Sequence, residues 1–393
     1  MEYADRMSRV SGSAVKEILK FMADPEIISF GGGSPAKEAF PVEAVTEIIN
    51  QELKDNPIQM LQYGVTEGLM SLRQAYIEHI AKPKGLDFAV ENVIATTGAT
   101  QGIMLAVDAL VNEGDTILVE SPTFLGTLMV FDKYNCNLIP VETDAQGMIM
   151  SDLEEKVKKH NPKMLYCIPT FQNPTGNTLP TDRRKKIAAL AAEHGFFVLE
   201  DDPYCDLRYS GEAVPPIKSF DTADRVILLG SFSKIISPGI RVGTVAANAE
   251  LIQKMTVVKQ CSDTHTANLM QAVCADFLNQ GLLPGHLEKI LPMYKERLDA
   301  MLAGIEAHFP EGTTFTRPEG GLFIWVKLPE TIDIPALLAK ATKEYKVAFI
   351  PGGPFFVNAA DGKHFIRLNF SSTSVENIQY GMEKLGEAMK ASL

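Results

Sequence analysis

A glycine-rich segment carries four side chains that could bind and react with one ligand. The segment Gly230–Gly243 follows an apolar run and contains Ser231, Ser233, Lys234 and Arg241. Hydroxyl groups and a guanidinium can hold a phosphate, while a lysine amine can form a Schiff base with a carbonyl compound. A surface loop with an incidental lysine has the same residue types, because exposed lysines are common. Other segments of the chain must decide between these two interpretations.

Three more polar segments lie at the ends of predicted strands. Asn173–Gly176 and Glu200–Tyr204 each follow an apolar run, and Thr96–Gly102 ends one run and opens a predicted helix. Ligands of open α/β sheets bind at the carboxyl ends of the strands, and the first N–H groups of a helix can bind an anion. Taken alone, each segment is also explained as a turn or a helix cap.

The elements that must position these segments alternate between strands and helices. Strands are predicted at 93–96, 116–119, 138–141, 164–168, 196–199 and 226–229, and helices at 100–111, 123–134 and 181–194. Continuous apolar strands that alternate with helices predict an α/β fold, with a mostly parallel sheet covered on both faces.

A second, smaller α/β unit is predicted near the carboxyl end of the chain. Residues 249–308 have a mainly helical pattern, in which Pro284 and Pro292 mark breaks or a kink. Beyond Pro310, strands are predicted at 322–326, 347–350 and 365–370, and helices at 334–344 and 375–389. We expect three parts: an N-terminal arm and helix at 1–45 that belong to the small domain, a large domain at 46–285 and a C-terminal small domain at 286–393.

Composition excludes several classes of protein. The 37 Lys and Arg residues against 49 Asp and Glu residues give a net charge of −12, and no basic stripe offsets it, so we expect no nucleic-acid partner. No apolar run approaches the ~20 residues of a membrane helix, and Met1–Arg6 lacks the apolar stretch of a signal peptide. We therefore expect a cytoplasmic protein with no membrane partner. The five cysteines include no Cys-x-x-Cys pair, which predicts neither a disulfide nor a zinc site.

In this order and spacing, the segments resemble those of the pyridoxal-phosphate aminotransferases of fold type I, class I/II, over nearly the whole chain. The chain is most similar to the branch of 2-aminoadipate, kynurenine and lysine-pathway aminotransferases, judged by four segments: Ser29–Gly33, Leu61–Gly64, Glu200–Tyr204 and Ser231–Gly239. The resemblance implies a seven-stranded type of mostly parallel sheet sandwiched by helices, with a smaller C-terminal α/β domain. It also implies pyridoxal 5'-phosphate as the cofactor.

The resemblance assigns the catalytic roles to a few polar residues. Lys234 would hold the cofactor as a Schiff base and then move the substrate proton. Asp201 would keep the pyridine nitrogen protonated, with Asp202 as the alternative, because Asp201 has the family's three-residue offset to Tyr204. Tyr204 and Asn173 would hydrogen-bond the 3-hydroxyl oxygen of the ring.

The remaining cofactor contacts also follow from the resemblance. The phosphate would be held by five residues: Ala99, Thr100, Ser231, Ser233 and Arg241. Phe124 has the position of the ring that stacks on the cofactor, where many relatives have Tyr; it is otherwise an ordinary core residue. Tyr63 resembles the tyrosine that reaches the partner's phosphate, which implies a homodimer with shared active sites. As a lone tyrosine before Gly64, it would instead be a turn residue.

Substrate contacts are expected on three other parts of the chain. Arg367 lies in an apolar strand and needs an anionic partner, which is either a ligand or a structural ion pair. The resemblance favours the substrate α-carboxylate. Gly32 and Gly33 would let the backbone approach the substrate, and Asn173 is expected to contact the substrate as well as the cofactor. Lys16, on the N-terminal arm, is a candidate for a second substrate carboxylate and is otherwise a solvated helix lysine.

The function that the resemblance implies is transfer of an amino group from an L-amino acid to a 2-oxo acid, with 2-oxoglutarate as the expected acceptor, by a ping-pong route. Another reaction of the same cofactor, such as β-elimination or decarboxylation, is the first alternative. A second alternative is a transcription regulator with an aminotransferase-like domain. About thirty residues precede Gly31, too few for the winged-helix domain of such regulators.

Overall fold

The computed structural model describes residues 3–9 and 24–393. Lys16 lies outside these described residues, so its predicted substrate contact stays a prediction.

In chain order, the strands are β1 (Ile28–Ser29), β2 (Val93–Thr96), β3 (Thr116–Ser121), β4 (Asn137–Asp144), β5 (Gly147–Met148), β6 (Met164–Cys167), β7 (Phe197–Asp201), β8 (Val226–Ser231), β9 (Gly243–Ala246), β10 (Thr314–Phe315), β11 (Phe323–Lys327), β12 (Val347–Ala348), β13 (Ile350–Pro351) and β14 (Phe365–Asn369).

The largest sheet of the described chain is mostly parallel, as the sequence predicts. Its eight strands have the spatial order β2-β9-β8-β7-β6-β3-β4-β5. Strands β8, β7, β6, β3 and β4 are parallel neighbours. Strand β9 is antiparallel to both β2 and β8, so these two strands also share one direction. The carboxyl ends of β2, β3, β6, β7 and β8 therefore meet at the same edge of the sheet.

Helices cover both the large sheet and the smaller unit. In chain order they are α1 (Val42–Asp55), α2 (Pro57–Leu61), α3 (Met70–Tyr76), α4 (Ala99–Leu110), α5 (Leu125–Lys133), α6 (Met150–His160), α7 (Thr181–His194), α8 (Ala249–Ser262), α9 (Asn268–Asn279), α10 (Leu282–His308), α11 (Ile334–Glu344) and α12 (Val375–Lys390). Every residue of β2 and β6 is buried, as expected of strands with helices on both faces. Within residues 3–9 and 24–393, no helix has both the length and the apolar character to cross a membrane.

A second sheet lies near the carboxyl end, with four antiparallel strands in the order β10-β11-β14-β13. The beginning of the described chain joins this unit, because β1 pairs in parallel with β12. The N–H of Asn369 also donates to the carbonyl of Phe30 at 2.8 Å. This pairing places the glycine segment 31–33 beside the small sheet.

Two details near the carboxyl end differ from the sequence prediction. Pro284 lies in the first turn of α10 and Pro292 lies inside that helix, and neither one ends it. A first-turn N–H has no acceptor within the helix, so a proline there removes no hydrogen bond. The breaks between helices lie instead at 263–267 and 280–281. The strand predicted at 347–350 is two short strands separated by Phe349.

Two helices run through the predicted domain boundaries, α1 at residue 45 and α10 at residue 285. We propose that residues 46–285, with the large sheet, form the large domain. Residues 1–45 and 286–393 would form the small domain, with these two helices joining the parts.

Candidate active site

A cleft lies at the edge of the large sheet where the parallel strands end. Three of its twelve lining residues are the apolar Ile103, Ile168 and Pro203. The other nine are all predicted site residues: Ala99, Thr100, Phe124, Asp201, Tyr204, Ser231, Ser233, Lys234 and Arg241. They follow or end β2, β3, β7 and β8. The topology thus brings together segments that are far apart in the sequence.

Lys234 follows β8, and its amine is directed into the cleft. The Nζ atom donates to the carbonyl of Gly33 at 2.7 Å. Burial lowers the pKa of Lys234 from 10.5 to about 8, and the charges of Arg367 and Arg241 act in the same direction, while Asp201 opposes them. A lower pKa gives a larger fraction of neutral amine near neutral pH, and the neutral amine is the nucleophilic form.

Asp201 is the carboxylate of the cleft. Its Oδ2 atom accepts a hydrogen bond from the hydroxyl of Tyr166 at 2.7 Å, and its Oδ1 atom is buried without a partner among the described residues. Burial raises the pKa of Asp201 to about 6; the bond from Tyr166 lowers it, Asp202 raises it and Lys234 lowers it. Asp202, the alternative from the sequence, lines a separate cavity with Lys84.

One end of the cleft is built to receive an anion. The Nη2 atom of Arg241 donates to the carbonyl of Thr97 at 3.2 Å. Gly98 precedes α4 with a φ of 83°, a conformation that other residues rarely adopt, and a Cβ atom there would also meet the guanidinium of Arg241. The Oγ atom of Ser231 accepts from the N–H of Ser233 at 3.3 Å. A guanidinium, two hydroxyls and a helix N-terminus therefore converge.

Arg367, in β14, is not among the twelve lining residues but adjoins the cleft through Asn173. Its Nη1 atom donates to Oδ1 of Asn173 at 2.9 Å, and its Nη2 atom donates to the carbonyls of Gly31 at 2.8 Å and Gly32 at 3.1 Å. Asn173 also donates to the hydroxyl of Tyr204 at 3.4 Å. Burial lowers the pKa of Arg367 to about 10, so it remains charged at neutral pH. Within the described chain no carboxylate pairs with it, which favours an anionic ligand over a structural ion pair.

The family model for class I and II aminotransferases matches residues 25–385. The chain belongs to the class I and II aminotransferases. This aminotransferase is 39% identical to aromatic-amino-acid aminotransferase 1 of Thermococcus litoralis, over 100% of its own length and 94% of the relative. It is 37% identical to the 2-aminoadipate transaminase of Thermus thermophilus, over 98% and 96% of the two chains.

The structural comparison agrees with the sequence comparison. The structure superposes on the crystal structure of a Pyrococcus horikoshii kynurenine aminotransferase in complex with PMP, with a TM-score of 0.95 and 38% identity over 100% and 97% of the two chains. The predicted fold and family are therefore confirmed. The aminotransferase uses pyridoxal 5'-phosphate to transfer an amino group from an amino acid to a 2-oxo acid.

The cleft of the aminotransferase fits this cofactor chemically. The unpartnered Oδ1 atom of Asp201 needs a donor, and a protonated pyridine nitrogen is one. The end that contains Arg241 suits the phosphate, and the amine of Lys234 suits the aldehyde. Phe124 lines the wall and can pack against a flat ring.

Tyr63 is not among the residues that line this cleft. Its side chain is 82% exposed, and its ring makes an edge contact with the ring of His265 at 5.9 Å. A single chain of the aminotransferase does not test the predicted contact with a partner's phosphate, so that contact stays a prediction.

Sequence reasoning missed two buried residues that support the site. Tyr166 bonds Asp201. Gln172 donates to the carbonyl of Pro122 at 2.8 Å and accepts from the N–H of Thr175 at 2.9 Å, so it joins the loop before Phe124 to the loop that carries Asn173. A lone phenol within the apolar run 164–168 was a usable signal for Tyr166. Gln172 gave no signal beyond its place next to Asn173.

Proposed function

We propose that Lys234 and Asp201 carry the catalytic chemistry of this aminotransferase. The observation behind this proposal is that Lys234, Asp201 and Arg241 line one cleft, and that Oδ1 of Asp201 is buried there without a partner among the described residues. Arg367 adjoins this cleft, because it bonds Asn173, which donates to the lining residue Tyr204. The bound cofactor would draw electrons from the substrate Cα. Asp201 would keep the ring nitrogen protonated. The Nζ atom of Lys234 would take the proton from the substrate Cα and deliver it to the cofactor carbon C4′.

Arg367 would bind the α-carboxylate of both substrates through two parallel hydrogen bonds. A carboxylate is a stronger acceptor for a guanidinium than a neutral carbonyl oxygen, because the hydrogen bonds are charge-assisted. The carbonyls of Gly31 and Gly32 would then leave the Nη2 atom. Asn173 would keep its bond to Nη1 and hold the guanidinium in plane with the substrate.

We propose aromatic amino acids as the preferred donors and 2-oxoglutarate as the acceptor. The guanidinium carbon of Arg367 lies 4.2 Å from the ring centre of Phe323 and 5.1 Å from that of Phe355. Trp325 extends this buried aromatic cluster, since its ring stacks on Phe365 at 5.3 Å and meets Phe355 edge-on at 5.6 Å. An aromatic donor could pack beside such rings. The similarity to an aromatic-amino-acid aminotransferase and to a kynurenine aminotransferase supports this choice.

A donor screen tests the substrate class. Purified enzyme would be given phenylalanine, tyrosine, kynurenine, 2-aminoadipate or aspartate with 2-oxoglutarate, and the new 2-oxo acid and ammonia would be measured. We expect kcat/KM for the aromatic donors to exceed that for aspartate by more than about tenfold, without ammonia release. A preference for aspartate would reject the aromatic proposal, and ammonia in proportion to product would indicate a lyase.

We also propose a homodimer in which Tyr63 contacts the partner's phosphate. The segment 57–70 exposes five large apolar side chains, at fractions of 51–82%: Ile58, Leu61, Tyr63, Val65 and Met70. Apolar side chains concentrated in one exposed segment are typical of an interface. A second copy of the chain would cover them.

Subunit complementation tests the shared site. Tyr63→Ala and Lys234→Ala would each inactivate the protein, but a hybrid dimer would keep one intact site. Random mixing should restore about a quarter of wild-type activity, because half of the dimers are hybrids with one working site of two. A monomer in sedimentation, or no recovery despite proven subunit exchange, would contradict the proposal.

A further inference from the structure

Tyr166 is a buried phenol with its hydroxyl on the proposed catalytic carboxylate. It lies within β6, has no exposed surface, and donates to Oδ2 of Asp201 at 2.7 Å. Strand register explains the contact. Tyr166 pairs with Leu199 in β7, and Asp201 is two residues beyond Leu199, so its side chain is on the same face of the sheet as that of Tyr166.

Tyr166 is held in place and keeps its proton. The ring of Phe131 meets its ring edge-on at 5.8 Å. Burial raises the pKa of Tyr166 well above its ordinary value, and the nearby charge of Asp201 raises it further. The hydroxyl is therefore the donor in this bond, and the carboxylate is the acceptor.

We propose that Tyr166 is a positioning residue, which engages Oδ2 of Asp201 so that Oδ1 is presented to the ring nitrogen of the cofactor. The inference rests on the role proposed above for Asp201. Two observations support it. The Oδ2 atom of Asp201 has the phenol of Tyr166 as its partner, while the Oδ1 atom is buried and has none among the described residues. A carboxylate held at one oxygen presents the other in a fixed direction, and this preorganisation lowers the cost of binding.

Other charged and titratable groups also face this pair. Asp202 adjoins Asp201 in the chain, Lys234 faces Asp201 from the segment after β8, and Tyr204 faces it from the loop after β7. Glu120 faces Tyr166 from β3. Among these influences on Asp201, the bond from Tyr166 is the largest that opposes the effect of burial. Without it, Asp201 would hold a proton more strongly and leave less positive charge on the cofactor ring.

The first experiment compares Tyr166→Phe with Tyr134→Phe. Tyr134 is a suitable control because its phenol also lies near a carboxylate, that of Asp108, whose charge raises the pKa of Tyr134 and which does not line the cleft. For Tyr166→Phe, we expect the dissociation constant of pyridoxal 5'-phosphate to rise about tenfold. The pH midpoint of the bound cofactor's absorbance change should rise by about one unit. Tyr134→Phe should leave both unchanged, and equal changes in the two variants would overturn the inference.

The second experiment combines Tyr166→Phe with Asp201→Asn. Asp201→Asn alone tests the proposed function, because cofactor affinity and absorbance that do not change would mean that Asp201 does not serve the ring nitrogen. If Asp201→Asn has its effect, Tyr166→Phe should add nothing to it. The same change from Tyr166→Phe in both backgrounds, or no change in the wild-type background, would overturn only the role of Tyr166.

A third variant keeps the inference testable if Tyr166→Phe fails to fold. Site-specific incorporation of a fluorotyrosine at position 166 preserves the shape of the side chain and makes the phenol more acidic, hence a stronger donor. Circular dichroism would verify the fold. We expect the absorbance midpoint to move down, opposite to the effect of Tyr166→Phe, and an unmoved midpoint would overturn the inference.

Discussion

The cofactor side and the substrate side of the cleft differ in what their polar groups already bind. On the cofactor side, Oδ1 of Asp201 has no partner among the described residues, and its position is held by the strand end and by Tyr166. On the substrate side, Arg367 already donates to the carbonyls of Gly31 and Gly32. Asp201 is therefore preorganised for its ligand, whereas Arg367 must exchange partners before it can bind a carboxylate.

The same difference is visible in the elements that form each side. The cofactor side consists of ends of buried strands within one sheet. The substrate side joins β14 to a glycine segment that lies more than three hundred residues earlier in the chain, since Gly31 and Arg367 are 336 positions apart. Lys234 connects the two sides through its bond to the carbonyl of Gly33. We therefore expect variants on the two sides to have separable effects, except where Lys234 is involved.

The largest effect should come from Lys234→Ala. In the proposed mechanism Lys234 is both the attachment amine and the proton carrier, so its loss should reduce kcat by more than about a thousandfold. Borohydride reduction of the wild-type holoenzyme, followed by peptide mapping, should find the cofactor on Lys234. Lys186→Ala is the matched control, because that lysine is 47% exposed and pairs with Glu154 on the surface. Recovery of the modified peptide elsewhere would refute the assignment of Lys234.

Arg367→Lys should separate the two sides. The two-point contact with a carboxylate is lost, so the KM values of the amino donor and of 2-oxoglutarate should both rise about ten- to a hundredfold. The dissociation constant of pyridoxal 5'-phosphate should stay within about twofold of wild type, since none of the proposed cofactor contacts involves Arg367. A matching loss of cofactor affinity would show that the two sides are not independent.

The pH dependence of cofactor loading should report the lowered pKa of Lys234. With a pKa of about 8, the neutral fraction of the amine rises about tenfold between pH 7 and pH 9 and then levels off. The rate at which the apo-enzyme binds pyridoxal 5'-phosphate covalently should follow it. A lysine at its ordinary pKa would instead keep gaining about tenfold per pH unit. In Arg367→Met the pH at which this rate levels off should be higher, because the charge of Arg367 helps to lower the pKa of Lys234.

The smallest effect should come from Phe124→Leu on the cofactor side. Loss of an aromatic stacking contact should raise the dissociation constant of pyridoxal 5'-phosphate about two- to tenfold. Phe124→Tyr should keep the contact and change that constant by less than about twofold. Equilibrium dialysis of both variants would measure the difference. Equal affinity in Phe124→Leu and wild type would indicate that Phe124 is an ordinary core residue.

The sequence by itself determined the family and predicted most of the residues that line the cleft. Lys234, Ser231 and Ser233 lie within a few residues of a strand end, as do Asp201 and Tyr204. In a parallel sheet, every such strand end is at the same edge, so local patterns were enough to predict a common site. Of the two carboxylates that the sequence offers, Asp201 lines the cleft and Asp202 does not, and the role of Asp201 toward the ring nitrogen stays a prediction.

Tertiary structure alone decided which distant groups meet. The bond between Tyr166 and Asp201 depends on the register of β6 with β7, and a shift of one residue would direct Tyr166 to the other face of the sheet. The bonds from Arg367 to Asn173 and to Gly31 join segments 194 and 336 residues apart. Local sequence patterns carry no information about such pairs, because strand register and packing of the whole chain set the distances between them.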